Sequence, residues 1–162
     1  MQDNMISVRD GPERGRGMGE ANRMHIQVTC AIIEREGLVL AAQRGASMRM
    51  PLKWEFPGGK IEPEEGAEAC LHRELMEEMG LSVVVMRELP PSMHRYPAFT
   101  VTLYPFVCSI RSAEIALNEH HAVVWLKPDD LPTLDWVEAD YAVVEAYRRG
   151  LHLPAEIRSR KP

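Results

Sequence analysis

Residues 59–81 read GKIEPEEGAEACLHRELMEEMGL, an acidic segment with a glycine near each end. Seven glutamates stand between Ile61 and Glu78, out of 24 acidic residues in a chain of 162. That density needs a physical reason, because like charges packed on one element repel. The apolar spacing predicts a helix over 66–79, turning about 100° per residue. Glu74, Glu77 and Glu78 then occupy i, i+3 and i+4, within an arc of ~100° on one face. Leu71, Leu75 and Met79 fall on a neighbouring arc, with Met76 beyond them, and are expected to face a core. Arg73 precedes Glu77 by one turn and is expected to pair with it. Gly80 is placed to stop the helix as its C′ residue. A carboxylate face this dense is easiest to understand if a cation joins it.

All-oxygen ligands suit the hard ions Mg²⁺ or Mn²⁺, which keep several waters and share substrate phosphates. No soft-metal site competes in the sequence. Cys30, Cys70 and Cys108 stand singly, and His120 and His121 are neighbours in an expected strand, so they point to opposite faces. Upstream, Trp54-Glu55-Phe56-Pro57 leads into Gly58-Gly59-Lys60. Pro57 fixes φ, and two glycines allow a sharp turn or close approach to a ligand. Lys60 can then meet a phosphate as a point charge. Alone, REL-x-EE is a solvated helix face and FPGGK an ordinary turn. Joined at this spacing, with Glu65 and Gly80, they read as the entrance loop and metal face of a phosphate site.

Gly59, Glu65, Arg73-Glu74, Leu75, Glu77-Glu78, Gly80 and Leu81 fill the pattern G-x5-E-x7-R-E-U-x-E-E-x-G-U, with U aliphatic. Such a pattern arises by chance on the order of 10⁻⁹ per window at ordinary composition. The chain therefore resembles the Nudix hydrolases. The resemblance implies an α/β fold, an α/β/α sandwich around a mixed β-sheet, running from residue 24 to about residue 150. It implies that Glu74, Glu77 and Glu78 hold Mg²⁺, with Mn²⁺ as a substitute, and form the catalytic face with Arg73. Gly58, Gly59, Glu65 and Gly80 would be its structural loop.

The flanks VLAAQR (39–44) and GGKIE (58–62) are similar to the MutT-like subgroup. WEFPGGK and EHHAVVWL are also similar to its CTP-pyrophosphohydrolase relatives. In that subgroup the residues matching Arg44 and Lys60 contact substrate phosphates. The glutamate matching Glu119 approaches the metal cluster, as an extra ligand or as a base for water, with Glu114 a weaker rival. Asp140 matches a position where Asn or Asp faces the base, though an Asp there is equally a good helix N-terminal residue. MutT itself carries Asn, and a carboxylate offers only acceptors unless protonated, so the choice of base stays open. Phe99 either lines the base pocket or packs in the core.

The implied activity is Mg²⁺-dependent hydrolysis of a nucleoside triphosphate to the monophosphate and pyrophosphate, cleansing the nucleotide pool. 8-Oxo-dGTP is the first candidate and (d)CTP or its damaged forms the second. A nucleoside diphosphate linked to another group, such as ADP-ribose, is the alternative substrate, with Pro97, sixteen residues past the box, as its hint. A non-catalytic sensor or DNA-repair module would be expected to carry a degraded box. An isomerase on the same fold would need a further catalytic cysteine.

Composition narrows the rest. A chain of 162 residues suits one domain with a sizeable core. Net charge of −5 gives no electrostatic case for direct nucleic-acid binding. No apolar run is long enough to span a membrane, and lone cysteines suggest reduced thiols in a cytoplasmic protein, monomer or homodimer. Residues 1–23 are expected to be a disordered leader, 24–150 the domain and 151–162 a tail. Strands are expected over 24–34, 38–44, 82–88, 99–110 and 122–126. Residues 128–132 form a turn, and 138–149 a helix packing through Ala142, Val143, Ala146 and Tyr147.

Overall fold

The computed structural model describes residues 23–111 and 114–152. The leader expected over 1–23, apart from Arg23, and the tail from residue 153 onward lie outside them. Among the described residues eight strands form one sheet: β1 (Met24–Arg35), β2 (Leu38–Gln43), β3 (Trp54–Glu55), β4 (Gly58–Lys60), β5 (Val83–Glu88), β6 (Ser92–Arg95), β7 (Phe99–Ile110) and β8 (Ala122–Leu126). Helix α1 is Ala67–Met79 and α2 is Glu138–Leu151, preceded by a 3₁₀ segment, Pro128–Thr133. β1 and β7 run parallel and the other pairs antiparallel, so the sheet is mixed. No helix among the described residues is long and apolar enough to cross a membrane.

Alternation along β1 assigns its side chains to two cores. Ala31 and Ile33 meet Leu71, Leu75 and Met79 of α1 on one face. Cys30 and Ile32 meet Val143, Val144 and Tyr147 of α2 on the other. Helices thus cover both faces, the α/β/α sandwich expected. Met76 does not join the core and stays exposed. The α2 stripe is also rotated from expectation: Val144 is buried, whereas Ala142 is exposed, because the buried arc runs through Ala139, Asp140, Val143 and Tyr147.

The sheet opens at the point that matters most. β1 and β2 pair only beside their turn, at Glu34↔Val39 and Arg35↔Leu38. Beyond it the 54–60 segment is inserted between them. Trp54 and Glu55 pair with Gln43 and Ala42, and Gly58, Gly59 and Lys60 pair with Cys30, Thr29 and Val28. Ala31 N donates to Pro57 O between the two short strands. Gly58–Lys60, read as an entrance loop, is thus a short strand paired with β1. Gly58 serves close approach: a Cβ there would lie 2.0 Å from Thr29 O.

Candidate active site

The insertion carries Glu55, Phe56 and Lys60 to the rim of a cleft of about 290 Å³. Ile26, Val28, Val101 and Leu103 give it an apolar floor, while Arg44, Glu55, Glu78 and Asp140 bring charge into the same space. Phe99 stands in its wall, stacked on Tyr96 with ring centroids 4.8 Å apart, and also packs against the core. Phe99 thus lines the cleft and packs in the core at once. Lys60 lines the cleft with an exposed side chain.

The glutamates of α1 are set by Arg73. Its Nε and Nη2 donate to the two oxygens of Glu65 at 2.7 and 2.9 Å, a fork-to-fork pair. Its Nη1 donates to Glu74 Oε1 at 2.8 Å and to Glu77 Oε2 at 3.3 Å. The expected Arg73–Glu77 pair is present, but Glu65 is the closer partner, and Arg73 holds its carboxyl down at about 2. Gly59 is needed because a Cβ would fall 2.2 Å from Glu74 Cδ. Gly80 adopts φ 62° and its N–H caps Leu75 and Met76 carbonyls, ending α1 as its spacing predicts.

Glu78 is 8% exposed, and its Oε2 has no partner among the described residues. Burial, then the charges of Glu55, Glu74 and Glu119, push its carboxyl up to about 8, with Arg44 opposing. Burial raises Glu74 as well, against the pull of Arg73, and Glu77 and Glu119 add repulsion. Glu77 stays exposed. Glu119 is exposed in the loop before β8, and that loop is tied to the end of α1: Asn118 Nδ2 donates to Glu77 O at 2.9 Å and Ala116 N to Met79 O at 3.0 Å. Glu114 is also exposed. No three of these side chains converge to ligand distance of one point among the described residues. Arg73 engages one oxygen of Glu74 and one of Glu77.

At the other end, Asp140 is buried and does not cap its own helix. Its Oδ1 accepts from Phe56 N at 2.9 Å instead. Burial pushes its carboxyl up to about 8; the Phe56 N–H opposes this and the Glu55 charge adds to it. Phe56 is placed by Trp136, whose ring lies 4.7 Å away, and Trp54 N and O bond Asp135 O and Val137 N.

Two site residues escaped the sequence reading. Glu55 Oε2 accepts from Arg44 Nη1 at 2.5 Å, and Glu55 Oε1 lies 2.9 Å from His120 Nε2. Arg44 itself lies just past the end of β2. His120 and His121 do diverge, one buried and one exposed, but both precede β8 rather than belonging to it. A two-residue strand offers no alternation to read, and no local signal joins residues 65 positions apart.

Comparison with known proteins places these elements in context. The NUDIX domain family model matches residues 23–147. A CTP pyrophosphohydrolase of Escherichia coli K12 is 34% identical over 122 residues, 75% of this chain and 90% of the relative. An 8-oxo-dGTP diphosphatase of Proteus vulgaris is 37% identical over 90 residues, 56% of this chain and 80% of the relative. Among solved structures, a MutT of methicillin-resistant Staphylococcus aureus, described as a Nudix-family hydrolase and DNA mismatch repair protein, has a TM-score of 0.66. It is 34% identical and covers 79% of this chain and 98% of its own.

Proposed function

The chain belongs to the Nudix family of hydrolases, and from that premise we propose that it is a Mg²⁺-dependent nucleoside triphosphate pyrophosphohydrolase of the MutT kind. The observation that carries the reading is one continuous cleft. It brings Glu78 of the acidic face, Arg44, Lys60 and Asp140 together with the apolar Ile26, Val28, Val101 and Leu103. Charged and apolar side chains in one space suit a polyphosphate joined to a base.

The donor set fits a divalent cation. Glu78 Oε2 is buried without a partner among the described residues, and burial, then the neighbouring carboxylates, raises Glu74 and Glu78. A cation would relieve both penalties. Glu74, Glu77, Glu78 and Glu119 would hold it. Once bound, it would neutralise phosphate charge and make water a better nucleophile. The protein's own residues then supply position. Arg44 and Lys60 bind phosphate oxygens, Arg73 keeps the glutamates aligned, and the Phe99–Tyr96 stack faces the base. Glu119 is either a further ligand, the proton of the attacking water passing to solvent, or the base that takes that proton. Water attacks the β-phosphorus, its oxygen ends in pyrophosphate, and the nucleoside monophosphate leaves.

The names of the relatives make oxidised dGTP and cytidine triphosphates the two candidate substrates. Asp140 bears on the choice, because a protonated carboxyl both donates and accepts. Cleansing of the nucleotide pool is the role this chemistry suits, and three buried, unpaired cysteines suit the cytoplasm. A nucleotide panel with Mg²⁺ tests the proposal. Pyrophosphate released from triphosphates supports it; AMP released selectively from ADP-ribose, or no turnover at all, overturns it. Asp140→Ala is expected to change relative activity across bases more than phosphate hydrolysis.

A further inference from the structure

The His120 side chain is fully buried, although it sits on the loop just before β8. Its Nε2 lies 2.9 Å from Glu55 Oε1, and the other Glu55 oxygen accepts from Arg44 Nη1 at 2.5 Å. Arg44 Nε donates to Arg49 O at 2.6 Å. The guanidinium is therefore gripped at two points while it lines the cleft. His120 Nδ1 has no partner among the described residues. A carboxylate oxygen can only accept, so in the 2.9 Å contact the proton lies on Nε2. His120 is then a donor to Glu55. The frame around it is tight: His121 N donates to Gln43 O at 2.8 Å, and a Cβ on Gly45 would lie 3.1 Å from Glu119 O.

The geometry points to His120 as a positioning residue: by donating from Nε2 to Glu55 Oε1, it holds Glu55 against Arg44 and fixes the guanidinium for a substrate phosphate. This rests on the phosphate role proposed for Arg44. Glu55 needs a second partner because Arg44 alone leaves its carboxylate free to rotate. An arginine already held in one geometry loses less freedom when it binds.

Steady-state KM and kcat for a nucleoside triphosphate with Mg²⁺ test the idea in Arg44→Ala, His120→Leu, His120→Gln and the Arg44→Ala/His120→Leu double variant. His120→Leu is expected to raise KM about tenfold with kcat little changed, the mark of lost binding preorganisation. His120→Gln, whose amide nitrogen can take the Nε2 position, is expected to recover most of that loss. The double variant is expected to match Arg44→Ala. Unchanged KM in His120→Leu, or additive effects in the double variant, overturns the proposal while leaving the phosphate role of Arg44 intact. Unchanged KM in Arg44→Ala overturns that role, and the proposal with it. Should His120→Leu fail to fold, His120→Asn takes its place, since its amide is too short to reach Glu55. In the unaltered protein, ¹⁵N ring shifts are expected to report an Nε2–H tautomer; an Nδ1–H tautomer overturns the proposal.

Discussion

Replacing Asp140 with Asn changes one atom and removes one titration, so it tests how far the buried carboxyl governs stability. Asp140 sits beside Phe56 N, and burial lifts its carboxyl from 3.8 to about 8. Between those values the folded protein holds a proton that the unfolded chain has released. The contribution of the group is thus fully present below about pH 4, declines as pH rises towards 8, and is flat beyond. Four decades of proton affinity at about 1.4 kcal/mol each set a ceiling of about 6 kcal/mol. The cleft is open to water and can relax, so about half of that ceiling is expected. Asparagine keeps an Oδ1 acceptor for Phe56 N and carries no charge. Asp140→Asn should therefore be near neutral at pH 4.5 and stabilising by about 3 kcal/mol at pH 9. Urea unfolding of both proteins at the two pH values, without divalent cations, measures this. Glu78, which titrates in the same range, is common to both and cancels in the difference. An equal difference at both pH values, or a variant less stable at pH 9, would refute the reasoning.

Glu77 is exposed, so Glu77→Gln should leave the fold intact while lowering turnover about 100-fold or more; wild-type turnover with Mg²⁺ would remove Glu77 from the metal site. Added Mg²⁺ should raise the Tm of the wild-type protein, by about 1.4 kcal/mol of stabilisation at tenfold its Kd, and much less in Glu78→Gln. An equal rise in both would show that the orphaned Glu78 oxygen is not where the ion binds. Gly59→Ala puts a Cβ 2.2 Å from Glu74 Cδ and should expel that carboxylate from Arg73. The expected loss is about 1–3 kcal/mol of stability together with most activity; a variant with wild-type unfolding and turnover would show that Glu74 has somewhere harmless to go.

How much was legible beforehand follows range along the chain. The limits of α1, the αL stop at Gly80 and the long strands came from periodicity and capping, which act over a few residues. The short strands β3, β4 and β6 did not, because two to four residues carry no usable period. Gly58 and Gly59 were recognisable as sites of close approach, but the intruder could not be named: it is Thr29 O in one case and the Glu74 carboxylate in the other.

The same division holds at the candidate site. The sequence by itself determined the acidic face, since Glu74, Glu77 and Glu78 are neighbours through helical geometry alone. It also determined the family, through spacing confined to 59–81. Only the tertiary structure decided which carboxylates are buried, that Arg73 grips Glu65 more closely than Glu77, and that Asp140 faces Phe56 N instead of capping α2. Only the fold brings His120, Glu55 and Arg44 into one line. Desolvation and long-range pairing depend on what the rest of the chain excludes from water, and no local pattern encodes that.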